Sequence, residues 1–236
     1  LGSGSTTLLD LTSAYAMLVN GGKKIFPHMI EKIQDRNGST IYRHDQRSCG
    51  ECQIYSSNIS EIPRPKDIRK QIADPLSSYQ IVSMLEGVVK NGTGRVIKSI
   101  GYPLAGKTGT TNDFKDAWFI GFSPDLAVGI FVGYDKPKSL GKKESGGRVA
   151  APIFKEFMKG AITKNPAIPF RVPPGIQFVR VDRQTGLRPS ENTTDIIVEA
   201  FKQSKAPDAR QKTYRETGNN INLKRPINRD GLGGLY

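Results

Sequence analysis

Lys107-Thr108-Gly109-Thr110 sets a cation, two hydroxyls and a side-chain-free residue next to one another. On a strand at the edge of a sheet, such a run lays an ammonium, hydroxyl donors and backbone amides along one line. That set suits a peptide-like ligand ending in a carboxylate. The free edge pairs with the ligand backbone, and amide and charge steady an oxygen that becomes negative during reaction. Gly109 admits close approach where any side chain would obstruct it. The same letters satisfy two other signatures. Gly101-x-x-x-x-Gly106-Lys107-Thr108 has the P-loop pattern for nucleotide phosphates. Lys-Thr-Gly-Thr also occurs in the phosphorylation loop of cation-pumping ATPases, but there an aspartate precedes the lysine, and here Gly106 does.

The elements around these residues separate the readings. A P-loop requires a helix opening at Lys107-Thr108, so that the phosphates sit on its N-terminus. The next residues, Gly109-Thr110-Thr111, make a poor first turn. A polar turn, Asn112-Asp113-Phe114-Lys115-Asp116, leads into Ala117-Trp118-Phe119-Ile120-Gly121-Phe122, a strand by composition. Ser123-Pro124-Asp125 turns the chain again before the apolar run 126–132. The pattern predicts three adjacent antiparallel strands over residues 101–134, with no room for a crossover helix. Asp135 imitates a Walker B aspartate but arrives too soon.

Helices are predicted on each side of this meander. Thr7 with Asp10 forms a capping-box-like start, Leu8, Leu11, Tyr15 and Leu18 make a stripe, and Gly21 ends the helix. Asp74 and Pro75 open a second helix, with Leu76, Tyr79, Val82, Met84, Leu85, Val88 and Val89 apolar before the stop at Asn91-Gly92-Thr93-Gly94. A third covers residues 150–162 and is expected to turn Ile153, Phe154, Phe157 and Met158 toward the sheet. Residues 23–33 and 40–42 flank Asp35-Arg36-Asn37-Gly38 and predict a hairpin. After Pro173-Pro174, residues 176–181 read as a strand followed by a turn at Asp182-Arg-Gln-Thr-Gly186.

The chain has 236 residues, enough for one ordinary domain or a domain with a tail. Its net charge is +13, with much of the excess in residues 136–148 and beyond 200. A solvated basic surface is the plain reading, and attraction to an anionic polymer or lipid head groups the functional one. The basic stretches lack interleaved aromatics and a recognition-helix pattern, which argues against nucleic acid. No apolar run is long enough to span a bilayer, and no signal segment stands at the start. Cys49-Gly-Glu-Cys52 is expected to form a local disulfide in an oxidising compartment, with two idle thiols the alternative. One cysteine pair and two distant histidines do not supply a zinc site, so no metal or cofactor is expected. His28 and His44, each alone in polar surroundings, are expected at the surface.

Several longer segments add a family resemblance. They are Met84-Leu-Glu-Gly-Val-Val-Lys-Asn-Gly-Thr-Gly-Arg95, Ala105-Gly-Lys-Thr-Gly-Thr-Thr-Asn-Asp-Phe-Lys-Asp-Ala-Trp-Phe-Ile-Gly121, Val132-Gly-Tyr-Asp135 and Gly146-Gly-Arg-Val-Ala-Ala-Pro-Ile-Phe154. Residues 79–157 resemble the end of the transpeptidase domain of class A (bifunctional, 1A-type) penicillin-binding proteins. Residues 1–22 resemble the family's segment after its second motif, so the likeness runs in order over roughly residues 1 to 160. Lys107-Thr108-Gly109 then stands where the family has its third motif.

The family's nucleophile lies in Ser-x-x-Lys and its second motif is Ser-x-Asn, both ahead of Lys-Thr-Gly. Ser139-Leu-Gly-Lys142 has the first pattern but follows Lys-Thr-Gly in a Gly- and Lys-rich loop. Ser56-Ser57-Asn58 has the second but lies after Asn20-Gly21-Gly22, whereas the family places its motif before that point. Both read as chance matches. A fragment whose nucleophilic serine lies upstream is the expectation.

The resemblance implies an α/β (α+β) fold of the β-lactamase/transpeptidase type, an antiparallel sheet flanked by helices and incomplete on its N-terminal side. Residues 1–170 would belong to that domain, with an irregular insertion at 43–73. Residues 171–201 would form a short extension, and 202–236 a basic tail expected to be disordered. The implied activity is cross-linking of cell-wall stem peptides through an acyl-serine, with D-Ala-D-Ala peptides and β-lactams as ligands. Lys107 and the Thr110 amide would take catalytic roles, and Thr108, Gly109 and Thr110 would bind substrate. The implied location is the periplasmic face of the bacterial inner membrane, reached through an anchor outside this chain. A non-catalytic binding or assembly module of the same fold is the alternative, and a nucleotide enzyme using residues 101–108 a more distant one.

Overall fold

A computed structural model describes residues 4–47, 65–162 and 167–207 of the chain. Cys49, Cys52, the Ser56-Ser57-Asn58 string and residues 208–236 of the expected tail lie outside the described residues.

Helix α1 (Leu8–Val19) starts where its cap predicts. Thr7 Oγ1 accepts from the Asp10 amide at 3.0 Å and donates to the Asp10 carboxylate at 2.7 Å. Next comes the small hairpin of β1 (Lys32–Gln34) and β2 (Thr40–Arg43), shorter than the sequence suggests on its first arm. The paired strand ends at Lys32, with one further bond from the His44 amide to the Glu31 carbonyl at 2.9 Å, and Lys23 instead bridges to Gln71. The Asp35 carboxylate closes the turn by accepting from the Asn37 and Ser39 amides, each at 2.8 Å. His28 and His44 are exposed as expected but not alone: their rings stack at 3.4 Å between centroids across the base of this hairpin.

Helix α2 (Pro75–Asn91) is capped by Asp74, whose carboxylate accepts from the Ser77 amide at 2.9 Å. Its buried face is Ser78, Tyr79, Val82, Leu85, Val88 and Val89, whereas Met84 is half exposed. A 3-10 turn (Arg95–Ile100) then delivers the chain to β3 (Ala105–Thr110), β4 (Ala117–Phe122) and β5 (Ala127–Val132). These form one antiparallel sheet in the order β3-β4-β5, as the strand and turn chemistry predicts. No helix begins at Thr108. That removes the nucleotide reading, because Gly106 to Thr110 pair residue by residue with Gly121 to Ala117.

Alternation along β4 divides the core. Ala117 and Phe119 point to one face, where Phe154 and Met158 of helix α3 (Ala150–Ile162) join Val89, Ile97 and Leu104. Phe119 and Phe154 rings lie 4.8 Å apart. Phe122 points to the other face, with Ala105, Tyr79, Val82, Leu85, Phe170 and Ala200, and with Tyr15, Leu18 and Val19 of α1 packed against them. The buried stripe of α3 is Ala150, Ala151, Phe154, Met158 and Ile162. Ile153 and Phe157, expected on that face, are 47% and 51% exposed. The small Ala150 and Ala151 lie against the sheet and rotate the stripe away from the two larger side chains.

Strand β6 (Ile176–Asp182) finds a partner that the sequence pattern did not single out, β7 (Ile196–Lys202). The ribbon packs on α2 through the T-shaped Tyr79–Phe178 pair and a hydrogen bond from Gln80 Nε2 to the Ala200 carbonyl at 3.0 Å. Lys202 reaches both Asp74 and Ser77 at 2.8 Å, clamping the ribbon onto the start of α2.

Candidate functional site

The four residues with the most chemistry in their spacing all lie on β3, which has no partner on its outer side among the described residues. An edge strand presents alternate backbone amides and carbonyls outward, ready to pair with an extended ligand. Their side chains divide by the pleat. Lys107 and Gly109 face the same side as Ile120 and Trp118, whereas Thr108 and Thr110 share the side of Phe119 and Ala117.

Lys107 is half-buried, and its ammonium donates to the Thr108 carbonyl at 3.2 Å, which turns the charge toward the backbone of the next residue. Burial pushes its pKa below that of an ordinary lysine. Thr108 Oγ1 lies 2.8 Å from Thr93 Oγ1, just past the end of α2. Thr110 Oγ1 accepts from the Gly146 amide at 3.0 Å. Gly109 is opposite Trp118, and a Cβ on it would come within 3.1 Å of the Trp118 Cβ. Its small size therefore serves packing between strands, whatever it also allows a ligand to do.

Just beyond Thr110 the chain turns tightly. Thr111 N donates to the Asp116 carbonyl at 3.1 Å, and Asp116 N to Thr111 Oγ1 at 2.8 Å. Within this turn Asp113 and Phe114 both take positive φ, 60° and 54°. Strain of that kind costs about 1–3 kcal/mol per residue and collects beside functional edges. The Phe114 carbonyl accepts from Leu140 N at 2.8 Å, tying the basic loop after β5 to the turn. Ser139 and Lys142 sit in that loop with no helix around them, so the Ser-x-x-Lys string lacks the helical setting that a nucleophile of this type needs.

A shallow cavity of about 510 Å³ is bounded by Lys90, Asn91, Arg95, Lys98, Ser99 and Arg183, and none of residues 107–110 lines it. Among the described residues no helix is long and apolar enough to cross a membrane. The sequence pattern passed over two participants, Thr93 and Gly146. Both look like punctuation in the sequence, one in a helix stop and the other in a loop.

An edge strand carrying Lys-Thr-Gly-Thr lies on an antiparallel sheet with helices on both faces, and comparison with known proteins gives this arrangement a family. Residues 2–159 match the family model described as the penicillin-binding protein transpeptidase domain. The chain belongs to that family. It is 48% identical over 204 residues to penicillin-binding protein 1A of Rickettsia prowazekii, covering 86% of this chain and 26% of that protein. To penicillin-binding protein 1A of Pseudomonas aeruginosa it is 32% identical over 240 residues, covering 88% and 29%. A crystal structure of penicillin-binding protein 1A from Haemophilus influenzae superposes with a TM-score of 0.73 at 29% identity, covering 88% of this chain and 33% of that one. The chain thus spans 26% to 29% of the length of those two sequence relatives. With the meander described above, these relatives make it a segment of a class A penicillin-binding transpeptidase domain with an α/β fold.

Proposed function

We propose that β3 forms one side of the cleft in which a peptidoglycan D,D-transpeptidase joins stem peptides. In the complete protein a serine outside this chain attacks the D-Ala-D-Ala carbonyl and releases the terminal D-alanine. The acyl group then passes from the serine to an amine of a neighbouring stem peptide. The Thr110 amide donates to the oxyanion of the tetrahedral intermediate, an interaction worth about 3–4 kcal/mol in comparable sites. Lys107 supplies positive potential toward the substrate's carboxylate and a hydrogen bond to the second-motif serine. Thr108 and Thr110 hydroxyls hold that carboxylate, and Gly109 lets the peptide approach the strand closely. β-Lactams acylate the same serine.

The parent protein, on this reading, also carries a glycosyltransferase half. It is held at the inner membrane by an anchor outside this chain, with the transpeptidase on the periplasmic side. Residues 1–170 belong to the domain and 171–201 to an extension of it.

The observation that carries this reading is Lys107 on a strand edge with no partner among the described residues, half-buried and turned toward the backbone beside Thr108. The test is labelling with a fluorescent penicillin. The complete protein is expected to give a stable covalent band and the isolated 236-residue chain none, because Ser139 is in an irregular loop. A stable band at the mass of the isolated chain would place the nucleophile within it and overturn the division of roles. Absence of a band from the folded, complete protein would favour the non-catalytic module.

A further inference from the structure

The hydroxyls of Thr108 and Thr110 are held from behind by groups that come from two other elements. Behind Thr108 stands Thr93, with the hydroxyl oxygens 2.8 Å apart. Thr93 is set by the end of α2, where the amides of Gly92 and Gly94 both donate to the Val88 carbonyl, at 3.0 and 3.1 Å. Behind Thr110 stands the amide of Gly146, which donates to its hydroxyl oxygen at 3.0 Å. Gly146 is in turn set by the first turn of α3, since Ala150 N and Ala151 N donate to its carbonyl at 3.0 and 2.9 Å.

This backing depends on two glycines in sequence. A Cβ on Gly146 would fall 2.3 Å from the Trp118 carbonyl oxygen and 2.4 Å from that of Gly109. On Gly147 it would fall 2.9 Å from the Thr93 carbonyl oxygen. Only a segment free of side chains lies flat against both the strand backbone and Thr93 at these distances.

A threonine hydroxyl has one proton to give and two lone pairs to receive with. The Gly146 amide can only donate, so it occupies a lone pair of Thr110 and leaves that hydroxyl's proton for another acceptor. Thr93 does the same for Thr108 when it takes the donor role in their pair. Both hydroxyls on this side of β3 are then oriented and free to donate. Two prepared donors on one strand suit an ionised acceptor, to which hydrogen bonds are shorter and stronger than to a neutral one.

Resting on the role proposed above for β3, we infer that Thr93 and the Gly146 amide are positioning groups. They lock the Thr108 and Thr110 side chains as a donor pair for the carboxylate of the substrate or β-lactam. Neither is a catalytic residue, because each acts through a threonine of β3.

The test uses the complete protein and two probes, a penicillin with its free carboxylate and the methyl ester of the same penicillin. Second-order acylation is measured for each, and the acid-to-ester ratio is formed within one preparation, so that any unfolded fraction cancels. Thr93→Val keeps the shape and removes the hydroxyl. It is expected to lower the ratio about three- to tenfold, the range for losing one hydrogen bond that orients a donor. Thr93→Ser restores the hydroxyl and is expected to restore the ratio. A ratio unchanged in Thr93→Val, or lowered equally in Thr93→Ser, overturns the inference. Lys107→Ala run alongside keeps the two claims apart. If it leaves acylation by the acid intact, the role of β3 itself fails, whereas a slow Lys107→Ala beside a normal Thr93→Val rejects the positioning role alone.

Discussion

Two antiparallel ribbons in this chain reverse what local sequence preference would lead one to expect. β1–β2 has the better strand residues, Ile33, Ile41 and Tyr42, and a turn built for the purpose, yet every residue of both strands is exposed. β3 has two glycines and a lysine among its six residues, a poor strand by propensity, yet Ala105 is fully buried and its sheet carries a core on each face. The contrast teaches where rigidity comes from. On the role proposed for β3, an ammonium and two hydroxyls must be held to within a fraction of an ångström, which relies on packing around the strand and not on its own composition. The hairpin, held by its ladder, the Asp35 turn and the stacked His28 and His44 rings, has no such backing among the described residues.

The most severe break in this comparison is expected at Lys107. In the complete protein Lys107→Ala should slow β-lactam acylation by about 10²- to 10³-fold, the loss typical of a group that stabilises charge in the transition state. The thermal midpoint should hardly move. Thr110→Ala should cost less, since its amide survives. Acylation at the normal rate in a folded Lys107→Ala variant would falsify the assignment of β3 to the cleft.

A steric break comes next. A Cβ on Gly106 would lie 2.7 Å from both the Phe119 ring and the Ile120 carbonyl oxygen, so Gly106→Ala should destabilise the domain by about 1–3 kcal/mol. Denaturant unfolding reads this directly.

The pH dependence follows from the burial of Lys107. Its pKa is lowered, so the folded protein disfavours the charged form, and that penalty is relieved as pH rises through the folded value. Acylation should therefore lose its charge-dependent part at a lower pH than an exposed lysine would allow. Lys107→Arg, which stays charged, should move the alkaline limb of the rate profile upward even if the rate itself falls.

A smaller effect is expected at the cap of α2. Asp74→Ala should lower the melting temperature by about 2–4 °C at neutral pH. The Lys202 contact, followed by the Ser77 hydrogen bonds, holds the Asp74 carboxyl down at about 2. Its contribution is thus present above the ordinary carboxylate range and lost as pH falls through about 2. Melts of the two proteins should converge in that acid range.

The hairpin supplies the smallest change. Ile41→Ser on β2, where the side chain is 68% exposed, should alter stability by less than about 0.5 kcal/mol, against the large effect of one methyl group at Gly106.

What was legible in the sequence was whatever is decided between near neighbours. The caps at Thr7 and Asp74 act over three residues, and the turns at residues 112–116 and 123–125 act over a handful. With the strand composition between them they were enough to place Lys107 on an antiparallel edge and to exclude a P-loop helix. Tertiary structure alone decided the rest. Thr93 meets Thr108 across 15 positions and Gly146 meets Thr110 across 36, separations that leave no periodic trace. Ile153 and Phe157 look as suited to the core of α3 as Phe154, but the sheet accepts one stripe of the helix, and small alanines set which. β7 shows itself only through its partner, because a strand that packs on a helix needs the helix to tell its inside from its outside. Hydrogen bonds and packing between distant segments depend on three-dimensional proximity, which local propensity does not encode.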